Sequence, residues 1–142
     1  MADKPMQLIR LARKFPDKLV SQIKKGTHTE DYVNHSVVAQ RILQICGPFD
    51  WDTDVIYSEN KPCAVKGILK VTIDGKEVEV SGVGTDQNNN KDIGDQIKEM
   101  ESDALKRAAS RIGVGLHLWA QTQYFLFPQL LQDYDVASDD VG

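Results

Sequence analysis

Asp74-Gly75 constrains this chain more than any other pair of residues. An Asp-Gly dipeptide at the centre of a two-residue turn accepts the backbone angles of a tight hairpin, so it dictates which flanking residues face each other. The turn pairs Ile73 with Lys76, Val71 with Val78 and Leu69 with Val80, which sets apolar against apolar along one face. On the other face Lys70 meets Glu79, and a cross-strand ion pair is expected there. Upstream, Trp51, Val55 and Tyr57 alternate with Asp52, Asp54 and Ser58, the period-2 pattern of a half-buried strand over residues 50–58.

Helical periodicity brackets these strands. Val37, Val38, Arg41, Ile42 and Ile45 recur at helical spacing over residues 34–46, with Asn34 as N-cap and Gly47-Pro48 as the stop. Downstream, Ile93, Ile97, Met100, Ala104 and Ala108 form an apolar stripe over residues 92–112, which Gly113 and Gly115 terminate. The expected fold is therefore α+β: a helix, a three-stranded antiparallel sheet, and a long helix packed across it. Residues Leu116 to Leu131 are apolar but less regular, and should pack on the same core or on a neighbouring copy.

With 142 residues, 41% apolar and 27% charged, the chain suits one domain with a real core. No apolar run approaches the ~18 residues of a membrane span, and Met1-Ala2-Asp3-Lys4-Pro5 lacks a secretory core, so a cytoplasmic protein is expected, or a nuclear one in a eukaryote. Cys46 and Cys63, without C-x-x-C spacing, suggest neither disulfides nor zinc. Net charge is −4, which argues at first against a nucleic-acid partner. However, Asp133, Asp135, Asp139 and Asp140 account for the whole excess of 21 acidic over 17 basic side chains. The expected division is a domain over residues 1–132 and an acidic, disordered tail over 133–142. Within the domain, Lys4, Arg10, Arg13, Lys14, Lys18, Lys24 and Lys25 face only Asp3 and Asp17 among the first 25 residues, and Lys106, Arg107 and Arg111 form a second basic cluster.

Several chemistries have no signature. There is no phosphate loop, no complete dinucleotide fingerprint around Gly82/Gly84 or Gly113/Gly115, no G-x-S-x-G elbow and no H-E-x-x-H helix. Asp50, Asp52 and Asp54 are the one tight acidic group, read as a solvated strand face rather than a metal site. No catalytic residue, metal or cofactor is assigned, and a binding module is favoured over an enzyme.

The run Glu101-Ser102-Asp103-Ala104-Leu105-Lys106-Arg107-Ala108-Ala109-Ser110-Arg111-Ile112-Gly113 resembles the signature helix of the Rad52/Rad22-type single-strand annealing proteins. There a Thr/Ser-Asp-small-Leu-Lys-Arg-Ala run leads to a glycine. Phe15-Pro16 with its basic stretch, Tyr32-Val33-Asn34-His35, Cys46-Gly47-Pro48-Phe49-Asp50-Trp51 and Val78 to Gly84 are similar to other family segments in the same order. The resemblance covers roughly residues 12–118. Ser110 stands where members often carry a further basic residue. The absence of the long C-terminal region of eukaryotic members suggests a phage or bacterial protein, or an annealing core.

This resemblance implies ATP-independent single-stranded DNA binding and annealing of a complementary strand in recombination and repair. It further implies a homo-oligomeric ring or spiral, with a recombinase or nuclease as a further partner. Arg107 and Arg111 lie one turn apart at the edge of the apolar stripe, where planar guanidinium forks suit phosphates. Arg107 can also pair with Asp103, four residues earlier. Lys106 points away, toward a neighbour or the second strand, while Lys24 and Lys25 lie on a loop or short hairpin arm that would overhang the DNA. Lys24, Lys25, Lys106, Arg107 and Arg111 are therefore the expected DNA-binding residues. Tyr124, Phe125 and Phe127 are read as core or subunit-interface packing residues rather than base-stacking platforms. Two alternatives stand: a double-stranded-RNA-binding domain, which shares the helix, three strands, helix order, and an oligomeric partner-binding protein with no nucleic-acid role.

Overall fold

A computed structural model describes residues 4–141. Strands β1 (Ser21–Lys25) and β2 (His28–Tyr32) form a separate hairpin, while β3 (Asp50–Ser58), β4 (Lys61–Ile73) and β5 (Lys76–Gly84) form an antiparallel sheet in the order β3-β4-β5. Asp74 and Gly75 have φ of 50° and 82°, so both occupy the left-handed region that the tight turn needs. The register pairs Val71 with Val78, Leu69 with Val80 and Lys70 with Glu79, as the turn requires. One correction concerns Lys70: it lies opposite both Glu79 and Asp50, yet closes an ion pair with neither. On an open sheet face the Coulomb gain in water barely offsets the entropy of holding two long side chains.

Among the described residues, one face of the sheet is covered and the other is open. Val65, Leu69, Val71 and Ile73 on β4 are buried, whereas Asp50, Asp52, Asp54, Lys66, Lys70, Glu77 and Glu79 face solvent. The cover consists of α2 (His35–Cys46) and α3 (Ile93–Ser110). Each has the cap its sequence marks: Asn34 accepts from the Ser36 N–H at 2.9 Å, and Asp92 from the Asp95 N–H at 3.1 Å. Met100, Ala104 and Ala108 of the expected stripe are buried, but Ile93 is 57% exposed because the first turn of α3 does not reach the core.

Helix α3 approaches β5 more closely than side chains normally allow. A Cβ at Gly82 would lie 2.5 Å from the Ala108 N, and one at Gly84 would overlap the backbone of Met100 and Ala104. Small residues thus face small residues across the contact, glycine on the strand and alanine on the helix. At Gly67 the missing side chain is replaced by the indole of Trp51, which occupies that space from β3.

Other elements were not legible from periodicity. Helix α1 (Met6–Ala12) has only seven residues, too few to be stable alone, and other parts of the chain cap it at both ends. The Asp74 carboxylate accepts from the N–H groups of Gln7 and Leu8 at 3.0 and 3.2 Å. At the other end Arg41 of α2 donates to the carbonyls of Arg13 at 2.6 Å and Leu11 at 3.4 Å, and the Tyr124 hydroxyl donates to the Ala12 carbonyl. A carboxylate at the N-terminus and a guanidinium at the C-terminus both complement the helix dipole. Two short helices follow α3, namely α4 (Leu116–Ala120) and α5 (Leu126–Asp133).

The acidic segment differs from its expectation. Of the segment 133–142 expected to be disordered, residue 142 lies outside the described residues; Asp133 closes α5, and residues 134–141 turn back onto the domain, where Val141 is 1% exposed and packs with Ile9, Ala12 and Leu130. Arg10 donates to the Val141 carbonyl and Lys4 to that of Asp135, each at 3.1 Å. Charge dominates the composition of this segment, but Val136 and Val141 supply the apolar anchors.

The α3–β5 contact yields the first prediction. Gly82→Ala and Gly84→Ala each force backbone apart from backbone, so each should destabilise by at least the ~1–3 kcal/mol of ordinary overpacking. Urea denaturation should show this, and wild-type stability in both variants would contradict the close approach.

Candidate nucleic-acid interface

The close packing of α3 on β5 sets the position of the two arginines. Arg107 and Arg111 rise beside Gly82 and Val83, and with Ser110 and Trp119 of α4 they line an open groove of about 300 Å³. Arg107 donates from Nε to Asp103 at 3.0 Å, the intrahelical pair expected from the spacing. Its guanidinium also lies over the Trp119 ring, 4.8 Å from the centroid. Asp103 in turn accepts from the Thr85 N–H at 3.1 Å, which ties the end of β5 to the same carboxylate. Arg111 is exposed and has no ion pair among the described residues. The Ser110 hydroxyl donates to the Arg107 carbonyl at 2.6 Å, so it is turned onto its own helix.

The remaining expected residues lie elsewhere. Lys106 is half-buried and directs its ammonium toward the Val33 carbonyl at 3.5 Å, away from the arginine groove, as its helical phase requires. Lys24 and Lys25 both lie on the β1–β2 hairpin, exposed, where Lys25 pairs with Glu30 at 3.3 Å. That contact, with help from His28, holds the Glu30 carboxyl below its ordinary range. Successive strand residues face opposite sides, so Lys24 falls on the other face of the hairpin, opposite Thr29, with no ion pair among the described residues. The structure thus joins Arg107 to Arg111, separates Lys106 from them, and places Lys24 and Lys25 on a projecting ribbon.

Sequence reasoning missed Trp119 as part of this groove, together with the glycines that set its wall. Gly82-x-Gly84 on a strand opposite Ala104-x-x-x-Ala108 on a helix was the available signal, because paired small residues at matching spacing allow backbones to meet. Trp119 gave no such signal; only its place on α4 brings it beside Arg107.

Helix α4 is held through His117. The Nε2 of His117 accepts from the Phe15 N–H at 3.3 Å, and its ring lies 5.8 Å from those of both Phe15 and Tyr124. Burial, reinforced by the positive charges of Lys14 and Arg41, lowers the His117 pKa to about 4, so the ring is neutral at pH 7. Tyr124 caps α1, Phe127 packs against the Ile9–Leu130 cluster, and Phe125 is 68% exposed. Tyr124 and Phe127 thus pack within the chain, while the Phe125 ring lies outside its core.

Residues 6–129 match the Rad52/22 family of double-strand break repair proteins. This chain belongs to that family. It is similar to the DNA repair RAD52-like protein 1, mitochondrial, of Arabidopsis thaliana, with 29% identity over 117 residues. Those residues are 79% of this chain and 65% of that protein. The family match takes in the β1–β2 hairpin, the three-stranded sheet and α3 together. It displaces the double-stranded-RNA-binding alternative, and the first turn of α3, carrying Asp92 and Asp95, offers that reading no basic cluster. No helix among the described residues is long and apolar enough to cross a membrane.

The His117 contact predicts a pH dependence. Its folded pKa of about 4 lies below the ordinary 6.5, so the unfolded chain binds more protons between these values. Stability should be complete above pH 6.5 and fall as pH drops toward 4. Denaturation at pH 7 and pH 5 should show the loss in the wild type and a smaller one in His117→Gln; equal losses would remove His117 as the cause.

Proposed function

We propose that this Rad52/22-family protein binds single-stranded DNA and anneals complementary strands without nucleotide hydrolysis, as a step in recombinational repair. The observation that carries the reading is the groove where Arg107 and Arg111, held one helical turn apart, border the end of β5. Guanidinium groups bind phosphates through charge-assisted hydrogen bonds in a planar fork, and neutralising phosphates lets a strand lie extended on the surface. Arg107 is held in place by Asp103 and Trp119, and Arg111 is free to engage the backbone. Sequence is then read by the incoming complementary strand, so the protein needs no base code and no nucleophile.

Residues 1–132 constitute the annealing domain in this reading, with segment 133–142 as an acidic addition to it. Lys24 and Lys25 contact the strand from the projecting hairpin, and Lys106 serves the second strand or a neighbouring copy. Copies assemble side by side into a ring or open spiral, which joins single grooves into a continuous track. Exposed Phe125, Tyr57 and Ile56 provide apolar surface for such contacts. A recombinase or nuclease supplies the single strands or uses the annealed product, in the bacterial or phage-infected cytoplasm or in the nucleus of a eukaryote.

Two measurements test this function. Arg107→Ala combined with Arg111→Ala leaves the buried face of α3 untouched, so circular dichroism should be unchanged while affinity for labelled single strands and annealing rate fall together. The slope of log affinity against log salt should become less negative, by about 0.7 for each phosphate that is no longer neutralised. Unchanged affinity in the folded double variant would place the groove elsewhere. Light scattering at micromolar concentration should return assemblies far above the 15.9 kDa of one chain, and a monomer would exclude the ring or spiral.

A further inference from the structure

We propose that Trp119 is a nucleobase platform, so that the arginine groove holds one base per protomer as well as phosphates. The inference rests on the single-strand binding reading above and adds a base-stacking subsite to it. Trp119 is 46% exposed and belongs to none of the three buried clusters, although its neighbour Leu118 packs into the main core. Helix α4 therefore turns one apolar side chain inward and leaves the largest side chain in its sequence against solvent. Packing does not explain this, because an indole left in water forgoes the gain of burying its apolar area.

The surroundings point to a planar ligand. One ring face carries the Arg107 guanidinium at 4.8 Å, and Arg107 is itself fixed by Asp103 at 3.0 Å. The indole is thus held from one side by a cation that does not need to move, while its exposed area borders the groove shared with Gly82, Val83, Ser110 and Arg111. Ser110 is turned onto the helix backbone and does not reach into the space of about 300 Å³. A nucleobase stacks on an aromatic face whatever its sequence, which matches a site without a hydrogen-bonding code. Arg111, exposed beside it, is placed for a phosphate of the same strand.

The test uses intrinsic fluorescence in the full chain. Oligo-dT should quench the tryptophan emission of the wild type. In Trp119→Phe quenching should largely disappear while affinity stays within a few-fold, because phenylalanine still stacks; Trp51, over Gly67, remains as the unresponsive second tryptophan. Trp119→Ala should bind about tenfold or more weakly, in line with the loss of one base–aromatic stack, with an unchanged salt slope. An oligonucleotide with abasic sites should show the same deficit on the wild type. Wild-type affinity in Trp119→Ala, together with equal quenching by intact and abasic strands, would overturn the platform while leaving phosphate binding by Arg107 and Arg111 in place. Absence of any single-strand binding by the wild type would overturn both.

Discussion

Everything in the groove depends on how closely α3 lies on β5. Two glycines on the strand and two alanines on the helix remove the side chains that would otherwise keep the backbones apart. Packing at this distance makes many short van der Waals contacts and leaves little freedom to slide, since small shifts bring backbone atoms into overlap. The arginines on the outer edge of α3 inherit that precision. Wider spacing would lift Arg107 and Arg111 away from Gly82 and Val83 and open the wall that they now share.

The second constraint is electrostatic. Asp103 accepts from both Arg107 and the Thr85 backbone, so one carboxylate positions the Arg107 guanidinium and anchors the loop that leaves β5. This arrangement orders Arg107 before any ligand arrives, which lowers the conformational entropy lost on binding. Arg111 is exposed and has no such anchor among the described residues.

Legibility in the sequence followed the range of the interactions concerned. The Asp74-Gly75 turn, the strand over residues 50–58 and helices α2 and α3 depend on local periodicity and caps, and those the chain displays openly. The Arg107–Asp103 pair was equally visible, being intrahelical. Helix α1 was not, because its caps come from Asp74, Arg41 and Tyr124, far away in sequence. The docked acidic segment was hidden for a similar reason: Val141 finds its partners in α1 and α5, and net charge alone suggested a free tail. Trp119 was legible as an aromatic residue but not as a neighbour of Arg107, since only the turn after α3 brings them together.

The link between Asp74 and α1 has a consequence for the order in which the chain is built. The turn residue that sets the β4–β5 register also supplies the N-terminal cap of a helix made 67 residues earlier. During synthesis the first helical segment therefore emerges without its cap and is held only weakly. Its N-terminal cap can form only when the β4–β5 hairpin presents the Asp74 carboxylate, and its C-terminal contacts with Tyr124 and Val141 only after the chain beyond α3 has been made. The same dependence runs backward on unfolding: fraying of the hairpin turn removes the cap, and α1 with the Val141 anchor it supports forms one cooperative unit with the far end of the sheet.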